Sequence, residues 1–240
     1  MQLNHNIHIA EGNTVLIDND KYSFLIFSLL AQKNCPYKTD LCKQICYGRN
    51  AQELFPRVYN SRIRNYEESL KKTFKRDMIN IINHHLQRKK YKDKIIFFRW
   101  HETGDFYNQE YFDKVIRICN YFKNNKKIIF QAYTKSLPFI INSPIKDKNI
   151  RIMFSVMKDT KKEYIELAKK MNINLFYAIP EKEFKNIKEK NKCYGNCGQC
   201  NKSYTKNQDM YVLYHGIRAP KRKSKIKLNH TLYWRKDYKK

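Results

Sequence analysis

The sequence predicts a mixed α/β fold built around a parallel sheet. Two observations carry this prediction: short apolar runs rich in β-branched and aromatic residues recur along the chain, and stretches with helical periodicity separate them. Such alternation is typical of βαβ units, whose parallel strands are joined by right-handed crossovers. The predicted strands are SFLIFSLL at 23–30, KIIFFRW at 94–100, KIIFQAY at 127–133, IRIMFS at 150–155, INLFYAI at 173–179 and MYVLYH at 210–215.

Helical periodicity is clearest between the first two predicted strands. Apolar residues from Val58 to Leu86 recur at steps of three to five, which predicts a long helical stretch. Two further amphipathic helices are predicted at 109–124 and 160–171. This order of elements fits an open doubly wound sheet, and it fits a partial or full barrel equally well.

The composition favours one folded domain with a polyanionic partner. A chain of 240 residues, 14% of them aromatic, can bury a core of its own. No internal repeat or low-complexity linker interrupts it, so we expect a single α/β domain over 1–216 and a basic tail over 217–240. With 49 Lys and Arg against 22 Asp and Glu, the formal charge of +27 indicates nucleic acid as a partner. The basic stretch 57–92 and the tail are candidates for phosphate contacts, and the tail is equally typical of a solvated charge run.

The sequence predicts no membrane span and no signal peptide. The apolar run 23–31 is shorter than the roughly 20 residues that a span needs. The segment before it carries Glu11, Asp18 and Asp20, where a signal peptide would be basic. We therefore expect a cytoplasmic protein, in which a reducing environment disfavours disulfides.

Six of the seven cysteines fall into two tight triples. The triples are Cys35, Cys42 and Cys46, spaced C-x6-C-x3-C, and Cys193, Cys197 and Cys200, spaced C-x3-C-x2-C. In a reducing compartment such groups indicate a metal centre. Three cysteines on one loop are typical of a 4Fe-4S cluster with one iron left open, whereas four of the six could instead bind zinc. The seventh, Cys119, lies on the apolar side of a predicted helix and is expected in the core.

Polar residues collect where the predicted strands end. In parallel α/β folds these carboxyl ends form the active edge of the sheet. The first cysteine triple follows the first strand, and the second triple follows the fifth. The other residues expected at this edge are His101, Glu102, Gly104, Asp105, Tyr133, Thr134, Lys135, Ser155 and His215. The HETGD segment also fits an ordinary turn with a helix cap, in which Gly104 serves the backbone geometry.

One resemblance rests on several motifs in a fixed order. The segments CPYKTDLCKQICYGRN, RWHETGDFYNQEYFDKVIRIC, FQAYTKS, CYGNCGQC and YVLYHG together resemble the phage gene product 88 family. This resemblance implies a phage or mobile-element origin, and hence the cytoplasm of a host cell. It implies no particular activity.

A second, more distant likeness is to the radical S-adenosylmethionine (SAM) superfamily. That likeness implies a six-stranded parallel (β/α)6 partial barrel, with a 4Fe-4S cluster held by Cys35, Cys42 and Cys46 and flanked by Tyr47. It further implies that Gly104 and Asp105 contact SAM, that Ser155 contacts its ribose, and that the second triple holds another metal centre. The sequence departs from the superfamily in two respects: the first triple is not spaced C-x3-C-x2-C, and TGD at 103–105 lacks a second glycine. The usual spacing occurs instead at Cys193, Cys197 and Cys200, so the likeness allows either triple to be the reactive one.

Three functional hypotheses follow from the sequence. The leading one is an iron–sulfur, radical-SAM-like enzyme that modifies a nucleic acid or nucleotide, with His101, Glu102 and Lys135 as candidates for substrate binding or proton transfer. The second is a hydrolase or nuclease in which His101, Glu102 and Asp105 bind a divalent ion and zinc braces the fold. The third is a non-enzymatic basic module that binds nucleic acid or a host protein.

Overall fold

A computed structural model of the protein describes residues 3–12, 19–143, 149–193 and 208–214. The strands are β1 (Ala10–Glu11), β2 (Tyr22–Phe27), β3 (Ile95–Trp100), β4 (Ile128–Thr134), β5 (Arg151–Val156), β6 (Asn174–Ile179), β7 (Lys192–Cys193) and β8 (Met210–Leu213). The helices are α1 (Asp40–Gln44), α2 (Tyr47–Leu54), α3 (Pro56–Leu70), α4 (Phe74–Gln87), α5 (Gln109–Tyr121), α6 (Leu137–Asn142), α7 (Lys162–Lys170) and α8 (Glu181–Phe184). Short 3₁₀ turns occupy Lys89–Tyr91 and Glu189–Asn191.

The described strands form one eight-stranded sheet in the order β1-β2-β3-β4-β5-β6-β8-β7. All neighbours from β2 onward pair in parallel, and β1 alone is antiparallel to its neighbour β2. Parallel neighbours require crossover connections, and the order advances in one direction from β2 to β6 and β8. Crossovers between parallel strands are right-handed as a rule, and with this strand order that hand places the helices on one face of the sheet.

The coarser fold prediction, a mixed α/β protein on a mostly parallel sheet, is confirmed. The six predicted strands are present as β2, β3, β4, β5, β6 and β8, with bounds that shift by a few residues. The described sheet has eight strands, however, because β1 and β7 add one at each edge, and its order shows no closed barrel. At two residues each, β1 and β7 are too short to show an alternating pattern.

The long helical stretch predicted from Val58 to Leu86 is divided in the structure. It comprises α3 and α4, with α2 immediately before them. Phe55 is extended because the residue before a proline disfavours helical geometry, and Pro56 then begins α3. Lys71 is also extended, at φ −70° and ψ 148°, and so ends α3 before α4 begins at Phe74.

The two faces of the sheet differ in their packing. The helix-covered face holds the main core, to which the central strands contribute Leu25, Phe27, Phe98, Trp100 and Phe130. Cys119 is buried in this core, as predicted. The opposite face has a small apolar cluster of Phe24 and Ile26 from β2 and Phe97 from β3. Arg99 and Tyr133 follow on that face towards the carboxyl ends, where the cavity described below lies.

The amino-terminal segment is fastened across the fold by Asn65 of α3, which is buried. Its Oδ1 accepts from His8 N at 2.7 Å, and its Nδ2 donates to the His8 and Ser28 carbonyls at 2.9 Å each. These bonds join the residues before β1 to the end of β2.

No helix among the described residues is long and apolar enough to cross a membrane.

Candidate active site at the carboxyl edge of the sheet

A cavity of about 430 Å³ lies at the carboxyl edge of the sheet. Its volume falls in the range of small-molecule sites, roughly 300–1,000 Å³. The residues selected from the sequence that line it are Cys35, Cys42, Cys46, Tyr47, His101, Glu102, Gly104, Asp105, Tyr133, Lys135, Ser155 and Cys193. Residues from both cysteine triples thus border one cavity. Cys197, Cys200, His215 and the tail 217–240 lie outside the described residues.

The loop after β2, which carries the first cysteines, is bound to the loop after β3. Leu29 N donates to the Thr103 carbonyl at 2.9 Å, and Thr103 Oγ1 donates back to the Leu29 carbonyl at 3.0 Å. Asn34, which is buried, accepts from Leu30 N through its side chain and from Asp105 N through its carbonyl. These bonds fix the chain immediately before Cys35.

Helix α1 carries Cys42 and is anchored on the far side of the cavity. Thr39 caps the helix, its Oγ1 accepting from Cys42 N at 3.2 Å. Asp159, in the loop after β5, accepts from Leu41 N at 2.7 Å. The cysteine loop therefore runs along the carboxyl edge from β2 to β5 and is held at both ends.

Helix α2 fits closely against the loop after β3. A Cβ on Gly48 would lie 2.9 Å from Thr103 Cβ and 3.3 Å from Ala31 Cβ, so no larger residue fits without a shift. Arg62 of α3 is buried and donates to the Gly48 carbonyl at 2.7 Å. The Tyr47 hydroxyl donates to the Glu102 carbonyl. These contacts fix Cys46, which is the residue before α2.

The thiols of the first triple lie in a common electrostatic environment. Burial raises the pKa of Cys35, and the Asp105 carboxylate and the Cys42 and Cys46 thiols raise it further. Burial also raises the pKa of Cys42, whereas the Lys135 ammonium lowers it. Both thiols are therefore protonated unless a cation offsets their charge, because a thiolate in this position is poorly solvated.

Asp105 joins the ends of two strands. Its Oδ1 accepts from Phe106 N at 2.8 Å and from Thr134 Oγ1 at 2.5 Å, and its Oδ2 accepts from Lys135 N at 2.8 Å. Burial raises its pKa to about 6, although these hydrogen bonds favour the carboxylate. Both oxygens thus already bind protein groups, and the carboxylate organises the loops after β3 and β4. Gly104 before it has φ +78°, and a Cβ there would lie 2.5 Å from Leu29 Cβ.

His101 borders the cavity, but its ring packs into the core. The imidazole lies against Phe106, with ring centroids 4.7 Å apart, and its Nε2 is 2.8 Å from the Tyr111 hydroxyl. Burial, with a smaller effect of Arg99, lowers its pKa to about 3, so the ring is neutral at physiological pH. Nδ1 is buried and has no hydrogen-bond partner among the described residues.

Lys135 is a buried cation between the cysteines and β5. Its Nζ donates to the Ser155 carbonyl at 2.8 Å, so the contact uses the backbone of Ser155. Burial lowers its pKa, and the nearby Cys42 thiol and Asp105 carboxylate act in the opposite direction. The ammonium therefore supplies positive charge beside the first triple.

The described residues do not bring a set of side chains together around a single metal ion. No three His, Cys, Asp or Glu side chains within residues 3–12, 19–143, 149–193 and 208–214 converge closely enough to hold one metal ion. Cys193 borders the cavity from β7, where it pairs with Val212 of β8.

Several site residues were missed from the sequence. Arg99, Arg62, Gly48, Asn34 and Asp159 all shape the cavity or its walls. Only Arg99 left a signal, since it is the one charged residue inside the apolar run IIFFRW of β3. Its guanidinium lies over the Tyr133 ring, 4.8 Å from the centroid.

Comparison with known proteins gives one clear relationship. The family model described as Gene product 88 matches residues 4–225, which is most of the chain. No curated protein and no solved structure matches the sequence. The first resemblance found in the motifs is thereby confirmed, and the protein belongs to the gene product 88 family.

Proposed function

We propose that the protein is an iron–sulfur enzyme in which Cys35, Cys42 and Cys46 hold a 4Fe-4S cluster at the edge of the cavity. One observation carries the proposal: the three thiols come from one loop and line the same cavity as the polar residues after β3, β4 and β5. Three protein thiolates leave one iron of such a cluster open to a ligand. That open position would face the cavity.

The chemistry of the donors fits this group. Thiolates are the ligands that iron–sulfur clusters take, and the Cys42 and Cys46 thiols are near enough to Cys35 to raise its pKa. Bound iron would supply the positive charge that buried thiolates require, and Lys135 adds to it beside Cys42. The loop is also held firmly through Thr103, Asn34 and Asp159, as a cluster with only three protein ligands needs.

The order of strands supports the likeness to radical SAM proteins. Six parallel strands, β2, β3, β4, β5, β6 and β8, follow one another through the sheet in chain order, and the cysteine loop follows the first of them. A cluster held by Cys35, Cys42 and Cys46 would supply the electron for reductive cleavage of SAM, which is the chemistry typical of that superfamily. Under this proposal the sheet is a (β/α)6 partial barrel, and the cavity at its carboxyl edge binds SAM.

This chain's own residues would then have distinct parts. Gly104 and the backbone around it, with Tyr47 and Ser155, border the space where SAM would lie. Asp105 holds the loops after β3 and β4 in place and so acts on the ligand indirectly. Glu102 and Lys135 are the nearest candidates for contacts to substrate or for proton transfer, whereas His101 supports the site from the core side.

The hydrolase alternative has less support from the side-chain positions. It requires His101, Glu102 and Asp105 to share one divalent ion. Both oxygens of Asp105 accept hydrogen bonds from protein groups, and His101 Nε2 is engaged with Tyr111.

The substrate class of the proposed enzyme, nucleic acid or nucleotide, rests on the formal charge of +27. A second centre at Cys193, Cys197 and Cys200 stays part of the proposal.

The proposal is tested by metal analysis of protein purified without oxygen. Iron, sulfide and zinc are measured together with the visible absorption spectrum in the wild type, in Cys42→Ala and in Cys119→Ala. We expect about four irons per cluster in the wild type, loss of about four irons in Cys42→Ala, and no loss in Cys119→Ala, whose cysteine lies in the core. Stoichiometric zinc without iron, or iron unchanged by Cys42→Ala, would contradict the proposal.

A further inference from the structure

Three neighbouring loops at the amino edge of the sheet are strongly basic. They cover residues 19–21, 88–94 and 123–127 and precede β2, β3 and β4, which lie side by side. Together these segments, here called the basic row, contain nine Lys and Arg against two Asp and Glu, a larger ratio than the 49 to 22 of the whole chain. Because parallel strands begin at a common edge, the fold gathers cations from three separate parts of the chain.

Hydrogen bonds hold the loops of the basic row side by side. Ile95 N donates to the Lys21 carbonyl at 3.0 Å, and Ile96 N donates to the Lys127 carbonyl at 2.7 Å. Lys127 Nζ donates to the Lys92 carbonyl at 2.8 Å. Neighbouring strands lie about 4.8 Å apart, so one strand of nucleic acid can contact all three loops.

Most of the positive charge of the basic row faces solvent. Its exposed lysines are Lys21, Lys89, Lys92, Lys123, Lys126 and Lys127. In the part of the chain that the structure describes, none of these six forms an ion pair, and Glu11 binds Arg88 and Lys90 instead. Exposed lysines of this kind attract a polyanion, and its binding releases the counterions that surrounded it.

An exposed aromatic ring lies beside the basic row. Tyr121 is the last residue of α5, two residues before Lys123, and is 60% exposed. Its ring contacts that of Phe122 at 4.9 Å between centroids, and Phe122 is buried in the main core. The Tyr121 ring is thus supported by the core and open to solvent. Bases of single-stranded nucleic acid stack on aromatic rings placed next to basic surfaces.

We propose that the amino edge of the sheet binds single-stranded nucleic acid, with phosphates on the lysines of the basic row and a base on Tyr121. DNA and RNA offer the same phosphates and bases to this surface. The six residues of β3 separate it from the cavity by about 20 Å, so the surface is distinct from the site of a small ligand in the cavity. The inference goes beyond the proposed function and does not depend on a cluster.

The test measures binding of an oligothymidylate, an oligouridylate and a DNA duplex to the full chain over a range of salt concentrations. The edge variant carries Lys92→Gln, Lys123→Gln and Lys126→Gln. The matched variant loses the same charge from exposed positions after β5 and β6, through Lys158→Gln, Lys162→Gln and Lys182→Gln. Iron content is measured on each sample, so that a missing cluster and a loss of nucleic-acid binding are separate results.

The edge variant should bind both single strands about tenfold or more weakly than the wild type does. The slope of its binding constant against salt, on logarithmic scales, should fall in magnitude by about 2, since each phosphate contact of a single strand contributes about 0.7. The matched variant should lose less than about twofold, because its lysines lie at the opposite edge. Equal losses in the two variants, or an unchanged slope in the edge variant, would overturn the inference.

Tyr121→Leu tests the stacking of a base. It removes the ring without removing charge, so it should weaken binding of both single strands about tenfold and leave the salt slope unchanged. Phe55→Leu is the control, because Phe55 is 54% exposed between α2 and α3, away from the basic row. Tighter binding of the duplex than of both single strands, or equal affinities of the Tyr121→Leu and Phe55→Leu variants, would overturn the assignment of a single strand.

Discussion

Gly48 of α2 and Thr103 of the loop after β3 are packed so tightly that there is no room for a side chain at position 48. A Cβ on Gly48 would lie 2.9 Å from Thr103 Cβ and closer still to its Cγ2. Because Cys46 immediately precedes α2, this contact sets where the third thiol of the triple lies. The sequence pair Tyr47-Gly48 and the HETGD segment are therefore two halves of one packed contact.

Gly48→Ala should move α2 away from the loop after β3. Overpacking of this kind costs about 1–3 kcal/mol, which we expect as a loss in the free energy of unfolding measured with urea. Iron content should fall as well, since Cys46 moves with the helix.

Thr103→Ser supplies the matched test of this packing. It removes Cγ2 and keeps the hydroxyl that donates to the Leu29 carbonyl. The double variant Gly48→Ala with Thr103→Ser should regain part of the lost stability. Independent, additive effects of the two substitutions would mean that the two residues do not interact.

Asp105→Asn should weaken the connection between the loops after β3 and β4. The carboxylate accepts three hydrogen bonds, from Phe106 N, Thr134 Oγ1 and Lys135 N. A side-chain amide at this position would turn its own N–H group towards one of these three donors. An unsatisfied buried group costs about 1–3 kcal/mol, so we expect that loss in the free energy of unfolding. Asp93→Asn, at an exposed position, is the control and should change stability by less than about 0.5 kcal/mol. Equal stability of the two variants would show that Asp105 has no such organising role.

Because the His101 imidazole is buried and neutral, we expect the free energy of unfolding to fall in acid. Its folded pKa of about 3 lies below the ordinary 6.5, so the unfolded chain binds the extra proton first. The contribution of the neutral imidazole to the free energy of unfolding is fully present above pH 6.5 and is lost as the pH falls towards 3. Between pH 6.5 and pH 5 the loss amounts to about 2 kcal/mol.

The His101→Asn variant should lack this dependence, and the exposed His84→Asn should keep it. Urea unfolding of metal-free protein at several pH values gives the free energy of unfolding, and each variant is compared with the wild type at each pH. The Asp105 carboxyl, whose folded pKa is raised to about 6, has the opposite effect on the free energy of unfolding between about pH 6 and pH 4. Asp105 is present in all three proteins, so this effect is common to them. A wild type and a His101→Asn variant with parallel pH profiles would contradict the buried, neutral imidazole.

Much of the architecture could be predicted from local patterns. The apolar runs identified every strand long enough to have a pattern, and the rule that parallel strands end at a common edge brought Cys35, Cys42, His101 and Lys135 to one cavity. The division between α3 and α4 was missed, because both helices keep the same apolar period and Lys71 gives no break signal of its own.

The finer construction of the site depends on contacts between distant parts of the chain. Asp159 binds the start of α1 from 118 residues away, and no local pattern marks it. The tight fit of Gly48 requires the position of Thr103, and no sequence pattern indicates that the Lys135 side chain meets the carbonyl of Ser155. Such relationships follow from the folded geometry, since side-chain chemistry alone does not say which neighbours will meet.

The most direct test of the central claim is electron paramagnetic resonance of the chemically reduced protein, with and without added SAM. If Cys35, Cys42 and Cys46 hold a cluster whose open iron faces the cavity, the reduced wild type gives a cluster signal. That signal changes when SAM is added, and Cys42→Ala lowers the signal and loses its response to SAM. A signal that SAM does not alter, or one that Cys42→Ala leaves intact, would contradict an open cluster on the first triple.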